Sequence, residues 1–464
     1  MIGCIYLTKT LLISGKTSAM TVFQRPLFEQ STRVKIVLKD DHELVKLTAL
    51  INWVELTSIA MSIRDGKKAT SGPQPRYRAL LGAIALMSTK KMTYREAEDL
   101  IAHYAPARYL CELMDSDLHL DHVTIFDFTK MLGDTGIAQI NANVLSKAQD
   151  CGFLDPSLLM SDTTAQEAMI PYPTEVGLMS RFGQLVQKAV GTLGGKFLGA
   201  KKGVKEQVKK IKELVRNSHL FAKGKEQKAK VGRKIYHTVK KLHEELAALL
   251  NTGLKLTSKG GIALTTLVDL MNTLLPQIFY FLKTGFVANK KIIHLQIAEL
   301  YSIVRGKAGK KVEFGLKWGI SRIGGGFLQG FLLQDGRHAS DQKFCVEALK
   351  QHQKYFGKAP KTYGFDRGGY SASNIKKAKK IGVKNVGIAP TGKTPWSVSE
   401  SMRKKIVRER AQVEGGIGTI KSSRYGFNKP NAKSIQSMAW CGQRAILGFN
   451  MRKLTREWSN AQAA

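Results

Sequence analysis

Acidic residues are scarce in this chain. Its 464 residues carry 36 Asp and Glu against 73 Lys and Arg, a net charge of +37. So large an excess repels itself unless a polyanion neutralises it, which makes nucleic acid the leading partner. Cysteine is scarce too. The five residues Cys4, Cys111, Cys151, Cys345 and Cys441 are far apart, odd in number and form no C-x-x-C. That excludes a zinc ribbon and a disulfide framework and fits a reduced cytoplasm. Long apolar runs are missing. The best span, Leu270 to Leu282, is interrupted by Asn272, Pro276 and Gln277 and falls short of the roughly 20 residues a bilayer requires, so no membrane partner is expected. The apolar patch Thr10 to Ser14 is shorter than a signal-peptide core. Residues 1–40 therefore read as a leader of no clear role, with Met20 as an alternative start. The ten histidines form no H-E-x-x-H.

The hydrophobic content of 43% is ordinary for a globular protein. Leu44, Leu47, Ile51 and Val54 predict a helix from about Asp41 to Ile63, and Gly72-Pro73-Gln74-Pro75 breaks the pattern. Short helices follow over Tyr77–Met87, Thr93–Tyr104, Ala107–Met114, Asp121–Leu132 and Ile137–Gln149. The second of these is opened by the capping-box spacing of Thr93 and Glu96. Residues 41–150 thus form a helical N-terminal domain, either a helix-turn-helix-like DNA reader or a packing and dimerisation unit.

Leu158 to Asp162 reads as a buried strand. Residues 181–305 read as a basic insertion of antiparallel helices, including Ile262–Leu275 and Lys290–Val304. Lys188 to Glu245 alone holds 17 Lys and Arg against five Asp and Glu. Its apolar positions, Ile211, Leu214, Val215, Ile235, Val239 and Leu242, recur at helical spacing and leave a positive outer face. Lys209, Lys210 and Lys212 on that face are candidate phosphate contacts.

Lys311 to Ile323 alternates cleanly as a half-buried strand, and Gly324-Gly325-Gly326 turns it into Phe327–Leu333. Helices over Asp341–Phe356, Asn374–Ile381 and Ile435–Leu454 then alternate with strands over Thr362–Phe365 and Val386–Ala389. A further helix carries Glu414. A hairpin followed by strand–helix alternation implies an α/β fold, a mixed sheet with helices on its faces. The sheet is assigned to residues 155–180 and 306–455.

Two aspartates each end an apolar run, Asp162 and Asp366. Glu414 lies on a late helix among cations. Arg410, four residues earlier, shares its face, and so does Lys421, seven residues later. Converging carboxylates are hard oxygen ligands that suit Mg²⁺ or Mn²⁺ in a site handling phosphate. Two such ions about 3.5–4 Å apart clamp an in-line phosphoryl displacement, so no side-chain nucleophile is needed. Asp335 and Asp341 flank a helix start, with Asp341 in its first turn, where the dipole favours it.

These motifs resemble those of the DDE transposases of bacterial insertion sequences, in the branch with a Y-R-E-K signature (Tyr, two residues, Arg, three, Glu, six, Lys). Arg410, Glu414 and Lys421 stand at those spacings, with Val407 where the Tyr belongs. Ser161-Asp162-Thr163-Thr164 resembles the family's first Asp motif and Phe365-Asp366-Arg367-Gly368-Gly369-Tyr370 its second. The stretches Gly306 to Gly315 and Asp121 to Ile125 also resemble parts of such enzymes. The resemblance covers roughly residues 75–455. It implies an RNase H-like catalytic core with catalytic, metal-binding Asp162, Asp366 and Glu414, and DNA contacts from Arg410 and Lys421. It further implies a homodimer or higher oligomer on double-stranded DNA, at terminal inverted repeats and target. Val407 puts one accessory contact in doubt.

Two other readings compete. The first is a descendant that keeps the fold and binds DNA without cutting it. Gly387 to Thr394 matches the P-loop pattern after a strand, but Pro390 removes one of the phosphate-binding N–H groups and no good helix follows.

Overall fold

The computed structural model describes residues 5–8, 33–66, 75–116, 118–193, 198–251, 258–304, 312–333, 340–392 and 394–463. The breaker Gly72-Pro73-Gln74, the stretch 306–311, Asp335, Lys393 and most of the leader lie outside these residues. In the leader, where the sequence shows no pattern, β1 (Ile5–Thr8) and β2 (Arg33–Ile36) pair antiparallel.

Helices α1 (Glu43–Leu50), α2 (Trp53–Asp65), α3 (Tyr77–Thr89), α4 (Tyr94–His103), α5 (Ala105–Leu110) and α6 (His122–Asp150) follow. The single helix expected over 41–63 is two, bent by 72°. Asn52 caps the second through Glu55 N–H, so the chain restarts there. Thr93 and Glu96 make the expected capping box. The two helices expected over 121–149 are continuous except at Gly133, whose φ of 64° kinks α6.

The long strand β3 (Asp155–Glu167) leads into four helices, α7 (Glu175–Gly191), α8 (Leu198–Leu220), α9 (Gly224–Asn251) and α10 (Lys259–Thr284). Their apolar stripes close a separate core around Phe182, Val208, Ile235, Leu242, Leu264 and Met271. Glu175 and Lys291, both 11% exposed, pair at 2.5 Å and tie the start of α7 to the returning chain. Among the described residues α10 is long and apolar enough to cross a bilayer, longer than the interrupted run read from the sequence. Its Leu264, Leu267, Val268, Met271 and Leu274 face the helical core instead.

The remaining elements are β4 (Tyr301–Val304), β5 (Val312–Gly324), β6 (Leu328–Leu332), α11 (Asp341–Phe356), β7 (Thr362–Phe365), α12 (Ala372–Ile381), β8 (Asn385–Ile388), α13 (Glu400–Lys421) and α14 (Ile435–Ala463). The helix expected over Lys290–Val304 is absent: residues 285–300 are non-helical and Tyr301–Val304 is a strand. It pairs with β5, where the Tyr301 hydroxyl accepts from Lys317 N–H at 2.9 Å. A sheet edge outranks local propensity here because it satisfies backbone groups that would otherwise be left open.

The mixed sheet has β3 at its centre. β5 lies antiparallel on one side, β7 and β8 parallel on the other. The outer edge of β5 carries β6 along its C-terminal half and β4 along its N-terminal half. The chain is therefore α/β, as the strand–helix alternation implies. The sheet and the N-terminal helices share one core, which runs from Leu44 and Ile84 through Ile137 to Phe344, Tyr363 and Leu447.

Candidate active site

Asp162 does not end its strand. β3 continues to Glu167 because β5 pairs with it beyond that point, Asp162 opposite Ile320. Asp366 does follow the last strand residue of β7, Phe365, and begins a short 3-10 turn through Arg367–Gly369. The register of β3 with β7 runs Leu158–Thr362, Leu159–Tyr363, Met160–Gly364. Two residues further on, Asp162 and Asp366 hold corresponding positions on adjacent strands, and alternation turns both to the face of Met160 and Gly364.

Helix α13 crosses that face, and glycines let it come close. A Cβ at Gly364 would lie 2.9 Å from Ile406 Cγ2, and one at Gly387 would lie 2.3 Å from Ile406 Cδ1. Ile406 is fully buried. Arg410 and Glu414 follow it at intervals of four residues, on the same stripe. Arg322 and Glu409, 15% and 14% exposed, pair at 2.9 Å and fasten α13 to β5. Arg408 is 73% exposed and off this stripe. Glu414 is exposed, and Lys421 closes the helix, about 10 Å beyond Glu414 at 1.5 Å per residue.

The electrostatics follow from this packing. Burial first, then the Asp366 carboxylate, push Asp162 up to about 6, while the Thr163 N–H and Arg410 oppose the rise. The Glu414 charge adds to it. Asp366 is also raised, by burial and then by Asp341, against Arg410 and the amides of Gly369 and Gly368. Arg410 is thus the cation felt by both aspartates. Asp162 Oδ1 accepts from Thr163 N–H at 2.7 Å. Asp366 Oδ1 is buried and has no hydrogen-bond partner among the described residues. An unmatched buried carboxylate oxygen is costly unless a cation or proton meets it. Carboxylate oxygens that repel one another as anions fit a hard divalent ion.

Asp341 sits in the first turn of α11, as expected, but it is more than a dipole partner. Its Oδ1 lies 2.7 Å from Lys317 Nζ and accepts from Thr163 Oγ1 at 2.8 Å. This fourth carboxylate near Asp366 carries no motif and was not legible in the sequence. The glycines of the P-loop-like stretch belong to β8 and the turn after it, and no helix begins until Glu400. A phosphate cradle at a helix N-terminus is therefore not formed there.

Holding Asp162 ionised in this buried site, beside Asp366, has a measurable cost. Asp162 rises from 3.8 to about 6 on folding, so between those pH values the folded chain binds more protons than the unfolded one. Its contribution to stability is fully present below pH 3.8 and is lost as pH rises through about 6. Asp162→Asn, in metal-free buffer, is expected to stabilise the protein above pH 6 by on the order of 2–3 kcal/mol, with no gain below about pH 4. Thermal melts of the two proteins across this range check it. Equal melting at neutral pH would refute this cost of ionising Asp162 in the folded chain.

Comparison with known proteins assigns no family: no family model, curated protein or solved structure matches the chain.

Proposed function

We propose that this protein is a DDE-type DNA transposase with an RNase H-like core. On this reading it binds the terminal inverted repeats of its element as a homodimer or higher oligomer in the bacterial cytoplasm, then cleaves and transfers strands. The observation that carries the reading is the register that sets Asp162 beside Asp366 beneath the helix bearing Arg410 and Glu414. The strand order supports it. Apart from β4, the sheet runs β6-β5-β3-β7-β8, which is third-second-first-fourth-fifth, with the last two parallel to the first. That order is what an RNase H-like core would require, and it supports this part of the proposal.

Asp162, Asp366 and Glu414 would hold Mg²⁺ or Mn²⁺. When bound, such ions activate the attacking oxygen and stabilise the leaving one. The chain's own residues do the rest. β3 and β7 hold two carboxylates on a rigid sheet, and the Arg322–Glu409 pair fixes the angle at which α13 presents the third. Arg410 sets a cation where the scissile phosphate would lie. Lys421 extends positive charge along the same helix.

The test is incubation of the purified protein with its own element ends and Mg²⁺. Cleavage at the ends, abolished by chelator, is expected. Binding to the ends without cleavage under any divalent ion would leave a DNA-binding protein of the same fold. Arg410→Ala and Lys421→Ala are expected to keep metal binding and lose cleavage by about 10²–10³-fold, as when preorganised charge at a reacting phosphate is removed. Arg408→Ala should change little. Normal cleavage by the first two variants would make the Y-R-E-K spacing coincidental.

The basic insertion has its own test. On α8, Val204, Val208 and Ile211 are buried while Lys209, Lys210 and Lys212 face solvent. Lys212 Nζ donates to the neutral Gln187 Oε1 at 3.0 Å, and no acid pairs with it among the described residues. Changing all three to Gln is expected to weaken binding to specific and random DNA alike. The slope of log K against log salt should fall by about 2–3, near 0.9 per lost phosphate contact. Loss confined to the element ends would count against backbone contact.

A further inference from the structure

A second group of metal-ligating side chains lies in the helical part of the chain, where α4 meets the start of α6. The Glu98 carboxylate is held by two imidazoles. Its Oε1 is 2.6 Å from His119 Nε2, and its Oε2 is 2.6 Å from His122 Nδ1. His122 Nδ1 is also 3.0 Å from Asp121 Oδ1. The other Asp121 oxygen caps α6, accepting from Val123 and Thr124 N–H at 3.1 and 3.4 Å. One imidazole nitrogen thus faces carboxylate oxygens of two residues, although it carries at most one proton. The ligand atoms of Glu98, Asp121 and His122 all lie within 4.8 Å of one another. In a chain with 73 Lys and Arg for 36 acids, neither carboxylate has a Lys or Arg partner among the described residues. Their ion-pair partners are histidines alone.

We infer that Glu98, Asp121 and His122 form a site for one divalent cation of the Zn²⁺ type, with His119 orienting Glu98 through its second oxygen. Mixed imidazole and carboxylate donors suit a borderline ion such as Zn²⁺. The all-oxygen set of Asp162, Asp366 and Glu414 suits Mg²⁺ instead. The ion takes the place of the proton at His122 Nδ1, and the neutral ring carries its proton on Nε2 instead. Its structural effect is to tie α4 to the first turn of α6. The site stands whether or not the protein cuts DNA.

Calorimetric titration of the full-length chain with Zn²⁺ alone tests this, in an Asp162→Asn/Asp366→Asn background that disables the other carboxylate set. One Zn²⁺ per chain is expected at neutral pH, undiminished by excess Mg²⁺. Adding Asp121→Asn and His122→Gln should weaken it by about 100-fold or more. Asn is itself a good helix N-cap, so α6 keeps its start. His119→Ala, on an exposed side chain of the irregular stretch before α6, should weaken binding by about 10–100-fold and serves if the combined variant fails to fold. Zn²⁺ should raise the melting temperature of the background protein and not that of the Asp121→Asn/His122→Gln protein. No stoichiometric Zn²⁺ in the background protein, or binding unchanged in both ligand variants, would overturn the inference.

Discussion

Asp162→Asn, Asp366→Asn and Glu414→Gln are each expected to lower end cleavage by about 10³-fold or more while DNA binding is retained. Each change keeps the size of the side chain and removes one charge from the place where β3, β7 and α13 converge. A hard cation held by few carboxylates loses much of its binding energy with one of them, and charge stabilisation at the reacting phosphate is the largest single contribution in such sites. Asp366 should be the most sensitive. It follows the strand end directly and holds a buried oxygen with no hydrogen-bond partner among the described residues. Asp341→Asn is the informative contrast. Asp341 is already engaged by Lys317 and Thr163, so its loss should cost less than that of the three. Gel assays of cleavage beside mobility-shift assays of binding check the set. Retained cleavage in any of the three would remove that residue from the site.

Gly448→Ala is expected to destabilise the whole protein by about 3 kcal/mol or more, the upper part of the range for forcing extra volume into a packed interior. Helices α3 and α14 touch backbone to backbone at this point. A Cβ on Gly448 would lie 1.7 Å from the Ser88 carbonyl oxygen and 2.3 Å from its carbon. Neither atom can rotate aside as a long side chain would, so the helices must separate. Separation would strip packing from Leu447 in the shared core. Chemical denaturation of the variant beside Gly191→Ala checks this. A Cβ at Gly191 meets nothing within 4 Å, and Gly191 lies at the C-terminal end of α7. A Gly448→Ala protein as stable as the Gly191→Ala control would mean that α14 does not pack on α3 as described.

Local pattern was enough for much of the chain. α11 and β7 begin and end where the sequence reading places them, at Asp341–Phe356 and Thr362–Phe365, because the pattern that marks each lies within the element. The capping box at Thr93 was legible for the same reason. The basic face of α8 and α9 was legible as well, since charge density and helical periodicity are properties of neighbouring residues. What only the tertiary structure decided depends on partners distant in sequence. β3 runs past Asp162, and Tyr301–Val304 abandons its helical reading, because β5 offers each an edge to pair with. Asp162 and Asp366 are 204 residues apart in the numbering. Nothing in either motif states that their strands are adjacent, parallel and in a register that aligns them. The approach of α13 depends on Gly364 and Gly387 lying under one side chain, Ile406. The meeting of Glu98 with His119 and His122 depends on where α4 packs against α6. Residue type and spacing set which chemistry this chain is equipped for. Strand pairing and helix packing, whose contacts are long-range and settled only when backbone groups and apolar faces are satisfied together, decided which of those residues meet.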